Sequence, residues 1–587
     1  MMKNKFLSLM LVASLALTAC GNNDQAKDNS DTSEDTKVEE SVEEAKDSSE
    51  DTEAESDQEA DEKVDEEKAD DEEKEAEDDS KENNEKIFTL TLFQNPKTLD
   101  IQKTNADYFI PIQIYDRLVE TVVGEDGTPE IVPSLAEKWE ISEDGKVYTF
   151  YLNKGVKFHN GEELKADDVL FTIEKMMDPA EATVNSAVFE KIKGAKEKLA
   201  GKADNVEGVK VIDDYTVEFT LEEPSGPFLA GLSGAPASIF NRKAVEEGKD
   251  KFGFDPEYTV GTGYMKFKDW TQDKEVNLVR NDDYFKGPAK IDGVRYLMNI
   301  DKSTERMMFE NGEIDFMKLD KSSLESYENN KEYDGHIIKF LAPSMDYIVY
   351  NQKDPNMAKK EVRQAITKAI NREVFNKTFY DNEGILLNGV VPPGMPGYND
   401  KLPEIKPDIE EAKKLLEEAN FDHSEKFVIL QNGESDYTHP MNEMLQSMLK
   451  EIGIEAEIKN MDMTSFWDTV EKGDGFAMCI GPVTADVADP DDFYSQFTLE
   501  DSGINGYNVT NKDLSDRINK ARSIVDMDER IKALNELDEE IVQEEADYLP
   551  IASNVNYFIT SKRVDNLQLS WQGWVAGATY GIEMSDK

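Results

Sequence analysis

The sequence predicts an α/β protein. Strands with apolar residues at every second position crowd into the first half of a body that begins near Ile87. Amphipathic helical stripes become prominent later, where strands and helices alternate. About 500 residues of this globular character imply two or three domains.

Two segments of different material precede the body. Lys3 and Lys5 lead into the apolar run Phe6 to Ala16, followed by Leu17-Thr18-Ala19-Cys20. That run of about 11 residues is too short for a membrane span, which needs roughly 20, and long enough for a signal-peptide core. Small residues before a Cys, with Gly21 after it, resemble a bacterial lipobox. The resemblance implies that 1–19 is a signal peptide and that the Cys20 thiol carries a diacylglyceryl group. The chain is then expected on the extracellular face of the cytoplasmic membrane, lipid-anchored. Residues 21–86 hold 31 Asp/Glu against 8 Lys/Arg and no aromatic residue, a net −23. Such a segment cannot bury enough apolar surface to offset its chain entropy, so it is expected to be a disordered, self-repelling tether. A calcium-binding role is the rival reading, but no EF-hand spacing occurs. Segment 20–86 is therefore assigned as lipidated Cys plus linker.

Of the total −59, the body keeps −38, which argues against a nucleic-acid partner. Cys20 and Cys479 are the two cysteines; if Cys20 is lipidated, no internal disulfide forms. Cys479, in Phe476-Ala477-Met478-Cys479-Ile480, reads as a buried small hydrophobe.

In chain order, Ile87 to Phe93 is a strand with Phe88, Leu90 and Leu92 on one face. Lys146 to Leu152 is a strand after an Asp144-Gly145 turn, Thr216 to Leu221 alternates cleanly, and Gly261-Thr262-Gly263 turns into a strand Tyr264 to Asp269. Glu275 to Val279 is a further strand. A helix takes Val362, Ala365, Ile366, Ala369 and Ile370 on one stripe. After a Pro/Gly-rich loop from Ile385 to Pro407, Asp408 caps a helix to Asn420, with Glu411 three residues on. A third helical stripe runs from Asp528 through Ile531, Leu534, Ile541 and Val542.

The sequence contains no P-loop, His-Glu-x-x-His or Gly-x-Ser-x-Gly pattern. His159, His336, His423 and His439 lack metal-ligand spacing and read as structural or solvated. Nothing here argues for an enzyme, a metal or a cofactor.

One ordered set of motifs is more specific. Ile131-Val132-Pro133-Ser134-Leu135-Ala136-Glu137-Lys138-Trp139 is followed by Ser142-Glu143-Asp144-Gly145-Lys146-Val147-Tyr148-Thr149-Phe150. Then come Lys157-Phe158-His159-Asn160-Gly161 and Ala166-Asp167-Asp168-Val169. Later blocks are Arg280-Asn281-Asp282-Asp283-Tyr284-Phe285, Asn311-Gly312-Glu313-Ile314-Asp315 and Ala369-Ile370-Asn371-Arg372-Glu373. The set resembles the oligopeptide/dipeptide/nickel-binding family of ABC-importer substrate-binding proteins, solute-binding protein family 5, over about residues 90–570. The resemblance implies a two-lobed, periplasmic-binding-protein-like (type II) α/β fold that closes on a hinge. Lobe I is expected at 87–339 and 548–587, with a subdomain near 131–255, and lobe II at 340–547. It also implies a monomer that delivers peptide ligand to ABC importer permease subunits.

By the same resemblance, Asp486 in Thr484-Ala485-Asp486-Val487-Ala488-Asp489-Pro490-Asp491 stands where relatives hold a ligand amino group. Read from composition alone, it is one more solvated acid. Thr104, Asn105 and Tyr108 match a segment that pairs with ligand backbone, and Tyr437 and Asn554 align loosely with cleft residues. No Arg occurs in Glu434-Ser435-Asp436-Tyr437, where dipeptide binders place a carboxylate clamp, which favours longer peptides. Pro482 stands where relatives often have Trp, leaving the side-chain pocket open. The alternatives are a non-peptide ligand such as a nickel chelate, and a signalling peptide.

Overall fold

The computed structural model describes residues 85–92, 95–104, 108–125, 127–433, 435, 437–573 and 575–586. Cys20, the signal segment and the tether through residue 84 lie outside the described residues, as does Asn105.

The first lobe is built on three larger sheets, with two two-stranded ones beside them. Strand Ile87–Leu92 pairs in parallel with Gly293–Met298, which continues antiparallel to Glu275–Arg280 and then Met265–Thr271. A three-stranded sheet places Val555–Thr560 between Phe316–Leu319 and Ile337–Leu341. Its end is latched to the first strand by Arg563, which donates to Asp315 at 2.6 and 2.7 Å and to the Ile87 carbonyl at 2.8 Å. The subdomain is a four-stranded antiparallel sheet in the order Ala136–Ile141, Val147–Leu152, Thr216–Thr220, Val209–Asp213. Alternation buries Tyr148, Phe150, Val217 and Phe219 in a core closed by helix Ala166–Met176. Asp168 accepts from the Lys165 N–H at 3.0 Å, so a carboxylate does stand at the start of that helix. This core runs from Leu118 to Val260.

The second lobe is one six-stranded sheet, ordered Ile385–Leu386, Tyr548–Ser553, Ser344–Tyr350, Met478–Thr484, Phe427–Asn432, Ala456–Met461. Period-two geometry sends Ile348, Tyr350, Ile480 and Ile429 to one face and Tyr347, Val349, Cys479 and Leu430 to the other. Helices Lys360–Ala369, Ile409–Glu418 and Thr438–Glu451 cover the first face. Met463–Lys472, Lys512–Arg522 and Met527–Asn535 cover the second, which is why its strands read as near-continuous apolar runs.

Two expectations need correction. Strand Tyr548–Ser553 pairs with Ser344–Tyr350 and so belongs to lobe II, not lobe I. The two crossings are Ala342–Pro343 and Asn554, and they lie side by side: the Ala342 N–H donates to the Asn554 carbonyl at 3.2 Å, and Ser553 Oγ to the Ser344 carbonyl at 2.6 Å. Lobe II therefore spans 344–553, whereas 340–547 was expected. The helical stripe from 528 to 542 is broken in two: Met527–Asn535, capped by Asp526, and a π-helical turn Glu540–Glu544. Between them the Asp538 carboxylate is buried and accepts from the Val390 N–H at 2.9 Å, an anchor that hydrophobic periodicity does not register.

Candidate ligand-binding cleft

A cleft of about 1100 Å³ opens between the lobes. That exceeds the roughly 300–1,000 Å³ of ordinary small-molecule sites. Its second-lobe wall is the loop after strand Met478–Thr484, through Asp486, Val487 and Asp491, with Arg522.

The loop is held by its own acids. The Ala485 N–H donates to the Pro343 carbonyl at 2.9 Å, tying the loop to the crossing. The Asp486 N–H donates to Asp492 Oδ2 at 2.6 Å. Asp489 forms a wholly buried ion pair with Arg530 at 2.5 Å, and Arg530 also donates to the carbonyls of Ile524 and Val525. Asp491 is paired with Arg522. Two of the four loop carboxylates thus have a guanidinium. The other two, Asp486 and Asp492, have no cation within ion-pair distance among the described residues. Asp486 is exposed to the open cleft, and partial desolvation by the surrounding walls raises its carboxyl above its ordinary range. Burial, and then the charge of Asp486, hold the Asp492 carboxyl well above its own. A neighbouring cation would relieve both.

The first-lobe wall is aromatic and polar. Tyr264, Tyr284 and Tyr580 line it as an edge-to-face trio with ring centroids 5.4–6.0 Å apart. Tyr108 also lines it and donates to Asn185 Oδ1 at 3.2 Å. Asn185 in turn donates to the Thr104 carbonyl at 2.6 Å, so one subdomain residue pins both described ends of the segment that contains Asn105.

Of the residues singled out in the sequence, Asp486 and Tyr108 lie on the cleft. Thr104 is buried beneath it. Ala485 is fully buried, with its N–H on Pro343 and its carbonyl accepting from Gln572 at 3.1 Å, so it does not reach the wall; Thr484 is exposed at the end of its strand. Tyr437 and Asn554 come together elsewhere, at the crossing. Both donate to Asp346 Oδ2, at 2.7 and 3.4 Å, beside Tyr380 at 2.6 Å. Desolvation raises the buried Asp346 carboxyl, against the hydrogen bonds of the two tyrosines. The sequence did carry a signal for Asp346, one charge inside the apolar strand Ser344–Tyr350. Asp492 carried none beyond its proximity to Asp489-Pro490-Asp491.

The family described as bacterial extracellular solute-binding proteins, family 5 (middle), matches residues 130–505. The chain is similar to a dipeptide-binding protein of Escherichia coli K12, 27% identical over 504 residues, 82% of this chain and 90% of that protein. It is similar to heme-binding protein A of Haemophilus influenzae, 27% identical over 496 residues, 81% and 87% of the two chains. Among solved structures, the ABC transporter-associated periplasmic binding protein DppA from Helicobacter pylori in complex with peptide STSA superposes with a TM-score of 0.68 at 26% identity, covering 86% of this chain and all of that one.

Proposed function

Because the chain belongs to the bacterial extracellular solute-binding proteins of family 5, we propose that it captures peptides in the inter-lobe cleft and hands them to the permease of an ABC importer. It binds and releases its ligand without chemistry, and Cys20 anchors it to the membrane. The observation that carries the peptide reading is Asp486: a carboxylate on the cleft wall, beside Asp492, with no cation of its own among the described residues. A peptide ammonium is the matching group, and a charge-assisted bond in a closed, water-poor cleft is stronger than at a surface. The similarity to the E. coli dipeptide-binding protein and to the peptide-bound H. pylori protein supports the same ligand class. Tyr580, backed by the buried Tyr264 and Tyr284, offers sequence-tolerant aromatic surface to side chains, which suits a collector of varied peptides.

A non-peptide ligand is the second reading, favoured by the similarity to heme-binding protein A. One experiment separates them. Calorimetry is run with a pentapeptide, free and N-acetylated, on the wild type and on Asp486→Asn. If Asp486 holds the amine, either change alone weakens binding by about 2–5 kcal/mol, roughly 30-fold to several thousand-fold. The doubly altered pair then binds better than the sum of the two losses predicts, since neither side buries a lone charge. Equal binding of free peptide to both proteins removes Asp486 from the site, and absence of peptide binding by the wild type favours the second reading.

A further inference from the structure

The cleft has a second pole, on the opposite lobe. Arg117 lines it and is 8% exposed, so its guanidinium is largely withdrawn from bulk water. No carboxylate among the described residues lies within ion-pair distance of it, although its charge is the leading one that lowers the buried Asp116 carboxyl against desolvation. The adjacent Asp116 is committed elsewhere, accepting from Thr262 Oγ1 at 2.8 Å and from the Tyr284 hydroxyl at 3.1 Å. The next acid on the wall, Glu120, is held by Lys286 at 2.5 Å. Arg117 itself makes one long hydrogen bond, from Nη1 to the Tyr115 carbonyl at 3.3 Å, and its buried Nε has no acceptor. A guanidinium carries five N–H donors in a planar fork whose natural complement is a carboxylate. A buried cation left this incompletely satisfied is costly unless a bound group completes it.

We propose that Arg117 receives a carboxylate of the ligand. Resting on the peptide reading above, this makes the cleft bipolar: Asp486 on lobe II takes the ammonium, and Arg117 on lobe I takes the acid. A ligand with both charges then bridges the lobes, and one lacking either charge leaves one pole of the cleft unanswered. The carboxylate can come from the peptide C-terminus or from an acidic side chain.

The test uses the full chain and calorimetry with a neutral-side-chain pentapeptide as free acid, as C-terminal amide, and as an amide ending in Glu. Wild type should lose roughly tenfold or more in affinity on amidation, and Arg117→Gln should bind acid and amide alike. Recovery of affinity by the Glu-amide in wild type but not in Arg117→Gln assigns the pole to side-chain acids as well. Indifference of wild type to amidation overturns the proposal without reference to any variant. So does an acid-to-amide ratio in Arg117→Gln equal to that of wild type, a ratio that does not depend on how much of the variant folds. Failure of the peptide reading looks different, because then neither acid nor amide binds the wild type.

Discussion

His159 is held by a segment about a hundred residues away. Its Nδ1 accepts from the Gly261 N–H at 3.4 Å, which leaves Nε2 to donate to the Gly263 carbonyl at 2.9 Å, and this pairing needs the neutral ring. Burial pushes its pKa down from 6.5 to about 4. The unfolded chain therefore takes up the proton first as pH falls. The stability contributed by the neutral ring is complete above pH 6.5 and is lost as pH drops from 6.5 through 4. An NMR titration of His159 should show its midpoint near 4, and His159→Asn should flatten the melting temperature across that window; a midpoint near 6.5 contradicts the assignment. The sequence offered His159 only as one of four scattered histidines, because its partners are distant in the chain. The same limit hid Arg117 and Asp492. A residue's type is local, but whether its charge is answered is decided by neighbours that only the fold brings together. Asp486 was visible because its loop has a recognisable order; the neutralised state of Asp489 and Asp491 beside it was not.

Periodicity carried most of the elements. Strands Val147–Leu152, Thr216–Thr220 and Glu275–Arg280 and helices Lys360–Ala369 and Ile409–Glu418 lie where alternation and apolar stripes put them. Asp408 caps the last of these through the Glu411 N–H at 3.0 Å. The 528–542 stripe failed because a buried carboxylate, Asp538, interrupts a pattern that remains apolar on either side. The Gly261-Thr262-Gly263 turn was legible as a turn, but the reason for its glycines was not. A Cβ at Gly261 would stand 2.0 Å from the Ile114 carbonyl oxygen, and one at Gly263 would stand 2.2 Å from that of Gln113. The turn is pressed onto the backbone of helix Pro111–Ile114, directly before Asp116 and Arg117 on the cleft wall. Gly261→Ala must displace main chain, so it should destabilise by about 1–3 kcal/mol, read as a lower urea midpoint at unchanged slope. A change below a few tenths of a kcal/mol would show that the contact yields freely.

The two-lobed plan followed from motif order, but its seams did not, since a strand gives no local sign of which sheet it will join. The lobes also touch beyond the crossings. The Gly226 N–H of lobe I donates to the Arg522 carbonyl of lobe II at 3.0 Å, and a Cβ at Gly226 would lie 2.4 Å from both Arg530 Nη1 and the Ile524 carbonyl. Gly226→Ala should leave each lobe's core intact yet hold the lobes apart, weakening ligand binding by about 1–3 kcal/mol, roughly 5- to 150-fold. A wild-type affinity would mean that this contact plays no part in closure. The sheet that places Val555–Thr560 between Phe316–Leu319 and Ile337–Leu341 also imposes an order in time. During synthesis from the N-terminus, those two outer strands emerge long before the strand that joins them, whereas 344–553 contains every strand of its own sheet. That sheet too is completed late, because Tyr548–Ser553, seated between Ile385–Leu386 and Ser344–Tyr350, emerges directly before Val555–Thr560, so strand edges in both lobes stay unpaired until the last stretch of chain. The nascent protein is most exposed to wrong partners in that interval, which ends only when Arg563 reaches Asp315 and the first strand.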